Sequence, residues 1–362
     1  MPRLSPRVVG VLLLPCLAVS LPQAQGALDL LPVQGSVHVL AGPQGNVTVQ
    51  IRNEGPLLVD PLAESLSEAI LDGVRALTPL PIRHIVLTSA DPQRAGGADA
   101  LASTGRYVRV LDSLDPRGAD TRSSIIAHVN VLNRMVEADV PSGSWPSETY
   151  FAEEFAVYAN REAVQLFHVP NAHTDGDTIA FFRRSDVVST GLIYDTLAYP
   201  RFDPDNGGSI SGILDGLNLV IELAIPGEGQ TGGTVVVPGR GRLSDETDVA
   251  DYRDMVTIIR DRIAAMVAEG LSLAEVRATE PTADYDGIYD RAGSAWTRDM
   301  FVDAVYRDLV SRARDSMTMA RSAAPGWQGA RRENIGNIRP TNNAARRDAP
   351  PGRWQRISDS GH

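Results

Sequence analysis

Residues 36–60 alternate apolar and polar positions in three short runs, SVHVLAG, GNVTVQIRN and GPLLVDP, with turn residues between them. A period of two broken by Gly, Pro and Asn predicts an antiparallel meander. Over residues 61–77 the period becomes helical: Leu62, Leu66, Ala69, Ile70, Val74 and Leu77 fall on one face, and Pro61 suits the first turn. IRHIVLTS (residues 82–89) is continuously apolar, as a strand covered on both faces requires. It runs into ADPQRAGGADAL, a loop leading to another helix. TRSSIIAHVNVLNRMVEA reads as one amphipathic helix, and VQLFHVP, TIAFF, DVVSTG and GTVVVPG read as four more strands. SISGILDGLNLVIELA presents Ile210, Ile213, Leu214, Leu217 and Val220 on one face. A long helix is expected to open at Ser244 as N-cap, with acids in its first turn. Its stripe is Val249, Tyr252, Val256, Ile259, Ile263 and Val267, and Gly270 closes it. A last helix from Thr297 is expected to bury Phe301, Val302, Val305, Tyr306 and Leu309.

No internal repeat is visible. Meander and strand–helix–strand pieces share one stretch, which predicts an α/β (α+β) domain over residues 27–320, built of two mixed sheets flanked by helices. From about residue 321 the chain becomes rich in Arg, Pro and Asn and loses its apolar period, so residues 321–362 are expected to be disordered. That tail holds eight Arg against three acids, which leaves the rest more acidic than the whole-chain charge of −11. Such a charge argues against nucleic acid as a partner of the folded body.

The start of the chain changes the compartment. Arg3 and Arg7 precede the apolar run VVGVLLLPCLAVSL, and AQG at residues 24–26 offers a small-residue exit, so residues 1–26 read as a secretory signal and the protein as secreted or periplasmic. The run is short and holds Pro15, which disfavours a membrane span. Pro15 also disfavours lipid attachment at Cys16. Cys16 is the only cysteine, so a protein cleaved near Gly26 has no disulfide and no thiolate ligand.

Candidate chemistry centres on PNAHTDGDTIAFF, residues 170–182, a loop with the look of a metal site feeding a buried strand. His173 sits at its turn, yet a catalytic zinc needs at least three protein ligands. His84, His128 and His168 lie in apolar contexts and read as core or edge histidines. Asp175 and Asp177 read as turn-shaping residues. NVT at Asn46 matches a glycosylation acceptor, but its Val/Thr alternation already reads as strand. No Gly-x-Ser-x-Gly elbow and no P-loop occurs.

Taken in order, GNVTVQIRNEGPLLVDP, PIRHIVLTS…AGGADAL, IIAHVNVL, VPNAHTDGDTIAFF…VVSTGLIYD, YPRFDPDNGGSISG and VVVPGRGRLSDETDVADYRDM resemble the metallo-β-lactamase-fold hydrolases, especially their secreted bacterial members. The resemblance spans roughly residues 35–309 and implies a four-layer αββα sandwich with metal held in loops at one edge. Active relatives carry a His-x-His-x-Asp-His loop before a Gly-Gly pair. Counted back from Gly96 and Gly97, those ligand positions fall on Ser89, Asp91, Gln93 and Arg94. The next is His173, which is kept. The last two fall on Leu192 and Arg240.

Guanidinium has no lone pair to donate and stays protonated. Two unit charges about 4 Å apart repel by roughly 4 kcal/mol at an effective dielectric of 20, and a dication doubles that. Arg94, Arg240 and Leu192 therefore predict a pseudoenzyme without the dinuclear zinc site, its pocket plugged by Asp91 paired with Arg94 or Arg240 and joined by His173. Two alternatives stay open. One is a metal-dependent hydrolase of the ester, lactam or lactone class, holding a single zinc weakly on His173 and Asp91, with Asp177 or Asp195 as further donors. The other is a protein that binds a small anion or a partner protein through the arginines.

Overall fold

The structure is a computed structural model that describes residues 28–106, 121–225 and 232–323; the expected leader and nearly all of the expected tail lie outside them. By compactness the chain divides after Asp315, and of the second unit, Ser316–His362, only residues 316–323 are described.

The meander forms as its alternation predicts in β2 (Val37–Gly42), β3 (Gly45–Gln50) and β4 (Leu57–Val59), and a strand the pattern did not show, β1 (Asp29–Gln34), pairs antiparallel ahead of them. Helix α1 (Ser67–Leu77) follows, preceded by a 3₁₀ turn at Glu64–Leu66. The helix thus starts later than expected, and Pro61 lies ahead of it. β5 (His84–Val86) lies parallel to β4, and short helices α2 (Pro92–Ala95) and α3 (Ala98–Thr104) occupy the ADPQRAGGADAL segment.

One expectation fails next. TRSSIIAHVNVLNRMVEA is not a single helix: Ser124–His128 is a strand, β6, and helix α4 covers Val129–Glu137. β6 lies between β5 and β7 (Glu148–Tyr150), parallel to both and buried at every residue. A strand covered on both faces shows no alternation, and sheet pairing overrode its weak helical period. The first sheet is therefore seven-stranded and mixed.

The second sheet has the order β12-β11-β10-β9-β8. Its strands are β8 (Glu154–Ala159), β9 (Glu162–Val169), β10 (Asp177–Phe182), β11 (Val187–Ser189) and β12 (Val235–Val237), antiparallel except for the parallel pair β11–β12. β7 and β8 were not visible in the pattern. Helices α5 (Ile210–Ala224), α6 (Glu246–Ala268), α7 (Leu273–Ala278), α8 (Asp286–Tyr289) and α9 (Arg298–Ala323) complete the order. The cap of α6 is Asp245 rather than Ser244. Its side chain accepts from the Asp248 amide while Asp248 reaches back, a reciprocal capping box. Gly270, at φ +84°, ends this element as expected. α9 continues to Ala323, just into the stretch expected to be disordered.

Strand alternation sorts the core into layers. In β4, Leu57 and Val59 face the second sheet while Leu58 faces outward to Ile70 and Val74 of α1. In β11, Val187 faces inward and Val188 outward, toward Leu217 of α5 and Val256 of α6. Helices, sheet, sheet and helices thus stack as αββα. Among the described residues no helix is long and apolar enough to cross a membrane.

Leu58 is fully buried in the centre of the first sheet. Leu58→Ala is expected to lower unfolding stability by about 2–5 kcal/mol in a urea titration; a loss below about 1 kcal/mol would contradict this placement of the outer core.

Candidate functional site

The ends of the parallel strands meet at one edge of the sandwich. Asp60 follows β4, Ser89 and Asp91 follow β5, Leu192 and Asp195 follow β11, and Arg240 follows β12. The edge is tied across the sheets. Thr48 Oγ1 donates to Ser189 Oγ at 3.1 Å, and the Thr178 amide to Thr88 O at 3.0 Å. Asn46 Nδ2 donates to Pro238 O and Gly241 O, so its amide has a structural use inside a buried strand.

Asp60 adopts the left-handed region at φ +58°, which Asp tolerates better than most residues. Its carboxylate accepts from Thr88 N at 2.9 Å and Thr88 Oγ1 at 2.7 Å, joining the ends of β4 and β5. Burial pushes its pKa up, and the nearby Arg94 charge opposes that rise.

Ser89 is fully buried, and its hydroxyl accepts from the Asp91 amide at 3.3 Å. Asp91 caps α2: Oδ1 accepts from Gln93 N at 2.7 Å, and Oδ2 lies 3.7 Å from the Arg201 guanidinium. Gln93 is exposed. Arg94 is 4% exposed, and its Nη1 donates to Gly239 O at 2.7 Å while its Nε has no partner. Burial lowers its pKa, and Asp60, Asp195 and Asp91 pull it back up. The backbone leaves room for this guanidinium: a Cβ on Gly45 would sit 2.5 Å from Nη1, and one on Gly239 3.0 Å from Nη2.

Arg240 does not meet Asp91. Its Nε and Nη2 both lie 3.0 Å from Asp195 Oδ2, across a parallel bridge between the same two residues. Asp195 Oδ1 accepts from Leu197 N at 2.7 Å. Burial raises the Asp195 pKa, and Arg240 opposes the rise.

His173 is 3% exposed, and neither ring nitrogen has a hydrogen-bond partner. Burial holds it largely neutral, with its pKa down at about 4; Asp91 works against the shift. Asp177, also buried, accepts from Thr174 N at 2.6 Å, and burial pushes its pKa up to about 8. Asp175 is less a turn former than an ion-pair partner, since both its oxygens meet Arg134, at 3.1 and 2.8 Å. The rings of His128 and His168 stack at 3.6 Å. His128 Nδ1 accepts from Asn130 N, and His168 Nε2 lies 2.9 Å from Asp175 O, so both are tied to backbone.

The seven aligned positions do not converge on one point. Gln93, Arg94, Leu192 and Arg240 line a cavity of about 290 Å³ together with Asp195 and Trp296. Asp91 and His173 line a neighbouring cavity of about 350 Å³ with Asp203 and Thr174. Arg201 lines both. The expected pairing of Asp91 with Arg94 or Arg240, joined by His173, is replaced by Asp91–Arg201 and Asp195–Arg240, with His173 in neither. Sequence reasoning missed Asp60, Arg201 and Trp296, which match no ligand position of the resemblance. For Asp60 a signal existed: an acid directly after a buried strand must find a partner. Among the described residues no three His, Cys, Asp or Glu side chains gather as a metal-binding group.

Neither a protein-family model nor a curated protein matches the chain. Among solved structures, a double mutant of the sec-alkyl sulfatase PisA1 is similar with TM-score 0.57 and 14% identity, over 77% of this chain and 50% of that one. The stereoselective inverting sec-alkylsulfatase Pisa1 from Pseudomonas sp. gives 0.56 and 13% over the same shares. A metallo-beta-lactamase from Pontibacter korlensis gives 0.48 and 12%, over 64% of this chain and 99% of that one. The chain thus spans half the length of the sulfatases it matches. At these identities the likeness shows the fold alone. With two mixed sheets between helical layers, the chain is a metallo-β-lactamase-fold protein.

Because Asp177 titrates high when folded, its contribution to stability is fully present below the unfolded carboxylate pKa near 3.8 and is lost as pH rises through about 8. Asp177→Asn is expected to flatten the fall in unfolding stability between those values, measured by urea titration across pH. An unchanged slope would refute the raised pKa.

Proposed function

We propose that this is an exported metallo-β-lactamase-fold protein whose edge site is held by guanidinium–carboxylate pairs in place of a dinuclear zinc centre, so that it does not perform the metal-activated hydrolysis of its fold relatives. One observation carries this reading. Arg240 occupies a position where the resemblance implies a metal ligand, and it spends its charge on Asp195. The sulfatase named above acts on alkyl sulfates by its name; that activity is not transferred here.

The donor chemistry does not fit two cations. His173 supplies one imidazole. Asp91 is engaged by the Gln93 amide and Arg201, and Asp195 by the Leu197 amide and Arg240. A zinc-type site needs at least three protein ligands on one ion, whereas His173 and Asp195 line different cavities. Arg94 and Arg240 would repel a dication there. The unbonded nitrogens of His173 keep a second reading open, a single weakly held ion on His173 and Asp91. The export reading rests on the charged and apolar order of residues 1–26.

Purified protein is expected to carry well under one zinc per chain by elemental analysis, and a chelator should leave its Tm unchanged. Arg240→Ala should lower stability by about 1–3 kcal/mol, because Asp195 loses its charged donor. Stoichiometric zinc, a chelator-sensitive Tm and loss of uptake in His173→Ala would instead support the single-ion reading.

A further inference from the structure

The cavity lined by Arg94, Arg201 and Arg240 carries three guanidinium groups against one described carboxylate, Asp195. Each guanidinium offers a fork of N–H donors and no acceptor. Arg94, although almost fully buried, makes one hydrogen bond to protein, from Nη1 to Gly239 O, and its Nε has no partner. The indole Nε1 of Trp296, on the same wall, has no partner either. Both unpaired donors belong to residues of this wall, and a buried donor without an acceptor is destabilising, so the wall carries more donors than the protein satisfies.

The carboxylates nearby do not meet this need. Asp195, the one carboxylate in the described lining, is taken by Arg240 and the Leu197 amide. Asp60 turns both oxygens to Thr88. Asp91 lines the neighbouring cavity. Away from the guanidinium groups the wall is mixed: Gln44, Tyr194 and Ser294 are polar, and Leu192, Met300 and the Trp296 ring form an apolar stretch. The volume, about 290 Å³, is at the small end for ligand sites. Gly45 and Gly239 keep the Arg94 guanidinium in place where any side chain would displace it.

We propose that this cavity binds a small organic monoanion, its oxyanion head among Arg94, Arg201 and Arg240 and its short apolar stem against Leu192, Met300 and Trp296. Planar guanidinium forks suit a two-oxygen head, and the stem contributes by leaving water. The site holds its ligand without reacting with it. This inference rests on the metal-free reading above.

The test is calorimetric titration of the full-length protein with hexanoate, hexylammonium and hexan-1-ol, with tryptophan fluorescence followed in parallel. Hexanoate is expected to bind and to change the emission, while the cation and the alcohol do neither. Arg94→Met and Arg201→Ala should each weaken hexanoate by about tenfold or more, and Trp296→Phe should abolish the emission change. The Arg201 side chain is half exposed, so its variant removes charge without emptying a buried position should Arg94→Met fail to fold. Hexanoate binding no tighter than hexan-1-ol, or unaffected in Arg201→Ala, would overturn the proposal. Zinc analysis of the same sample separates the two failures. Zinc-free protein that ignores hexanoate sinks the ligand alone, whereas stoichiometric zinc with chelator-sensitive hexanoate binding sinks the metal-free reading as well.

Discussion

Carboxylates at the ends of parallel strands need positive charge beside them. Here Asp60 ends β4, Asp91 follows β5 and Asp195 follows β11, all at one edge of two packed sheets. Burial favours the neutral forms of Asp60 and Asp195, and an unpaired charge there would be costly. Arg240 pairs with Asp195 and Arg201 stands near Asp91, while Arg94, in a slot between two glycines, places its charge near Asp60, whose oxygens are taken by Thr88. Asn46 and Arg94 donate to Pro238 O and Gly239 O, tying the first sheet to the loop after β12, and Asp60 joins the ends of β4 and β5 through Thr88.

Arginine also shapes what it compensates. A metal ion gathers ligands around a point, whereas a guanidinium is long, planar and directional. Of the aligned positions, Gln93, Arg94, Leu192 and Arg240 line one cavity and Asp91 and His173 another, and Arg201 lines both. The His173 ring is buried, held largely neutral by that burial, and has no hydrogen-bond partner among the described residues.

The sequence made the layers legible because each strand face buries its own layer. Alternation in β2 and β3 and the stripes of α5 and α6 are direct consequences of packing. It hid β6 because a strand covered on both sides has no polar face, and the helical period of the residues after it swallowed the segment. β7, with three residues, is too short to show a period. At the site, the resemblance placed Arg94, Arg240 and Leu192 at ligand positions, and all three line one cavity. The partners were not legible, since Asp195 and Arg240 lie far apart in sequence and only the β11–β12 pairing brings them together. Arg201 was hidden for the same reason, sitting in the YPRFDPDNGG segment with no local mark of its reach toward Asp91.

The claim that guanidinium groups rather than cations balance this edge is tested most directly by anomalous diffraction at the zinc absorption edge, from crystals grown with zinc in excess. The account predicts no anomalous density between Arg94, His173 and Asp195, with Arg240 still bonded to Asp195. A well-occupied peak coordinated by His173 and Asp91, or one that has displaced Arg240 from Asp195, would contradict it.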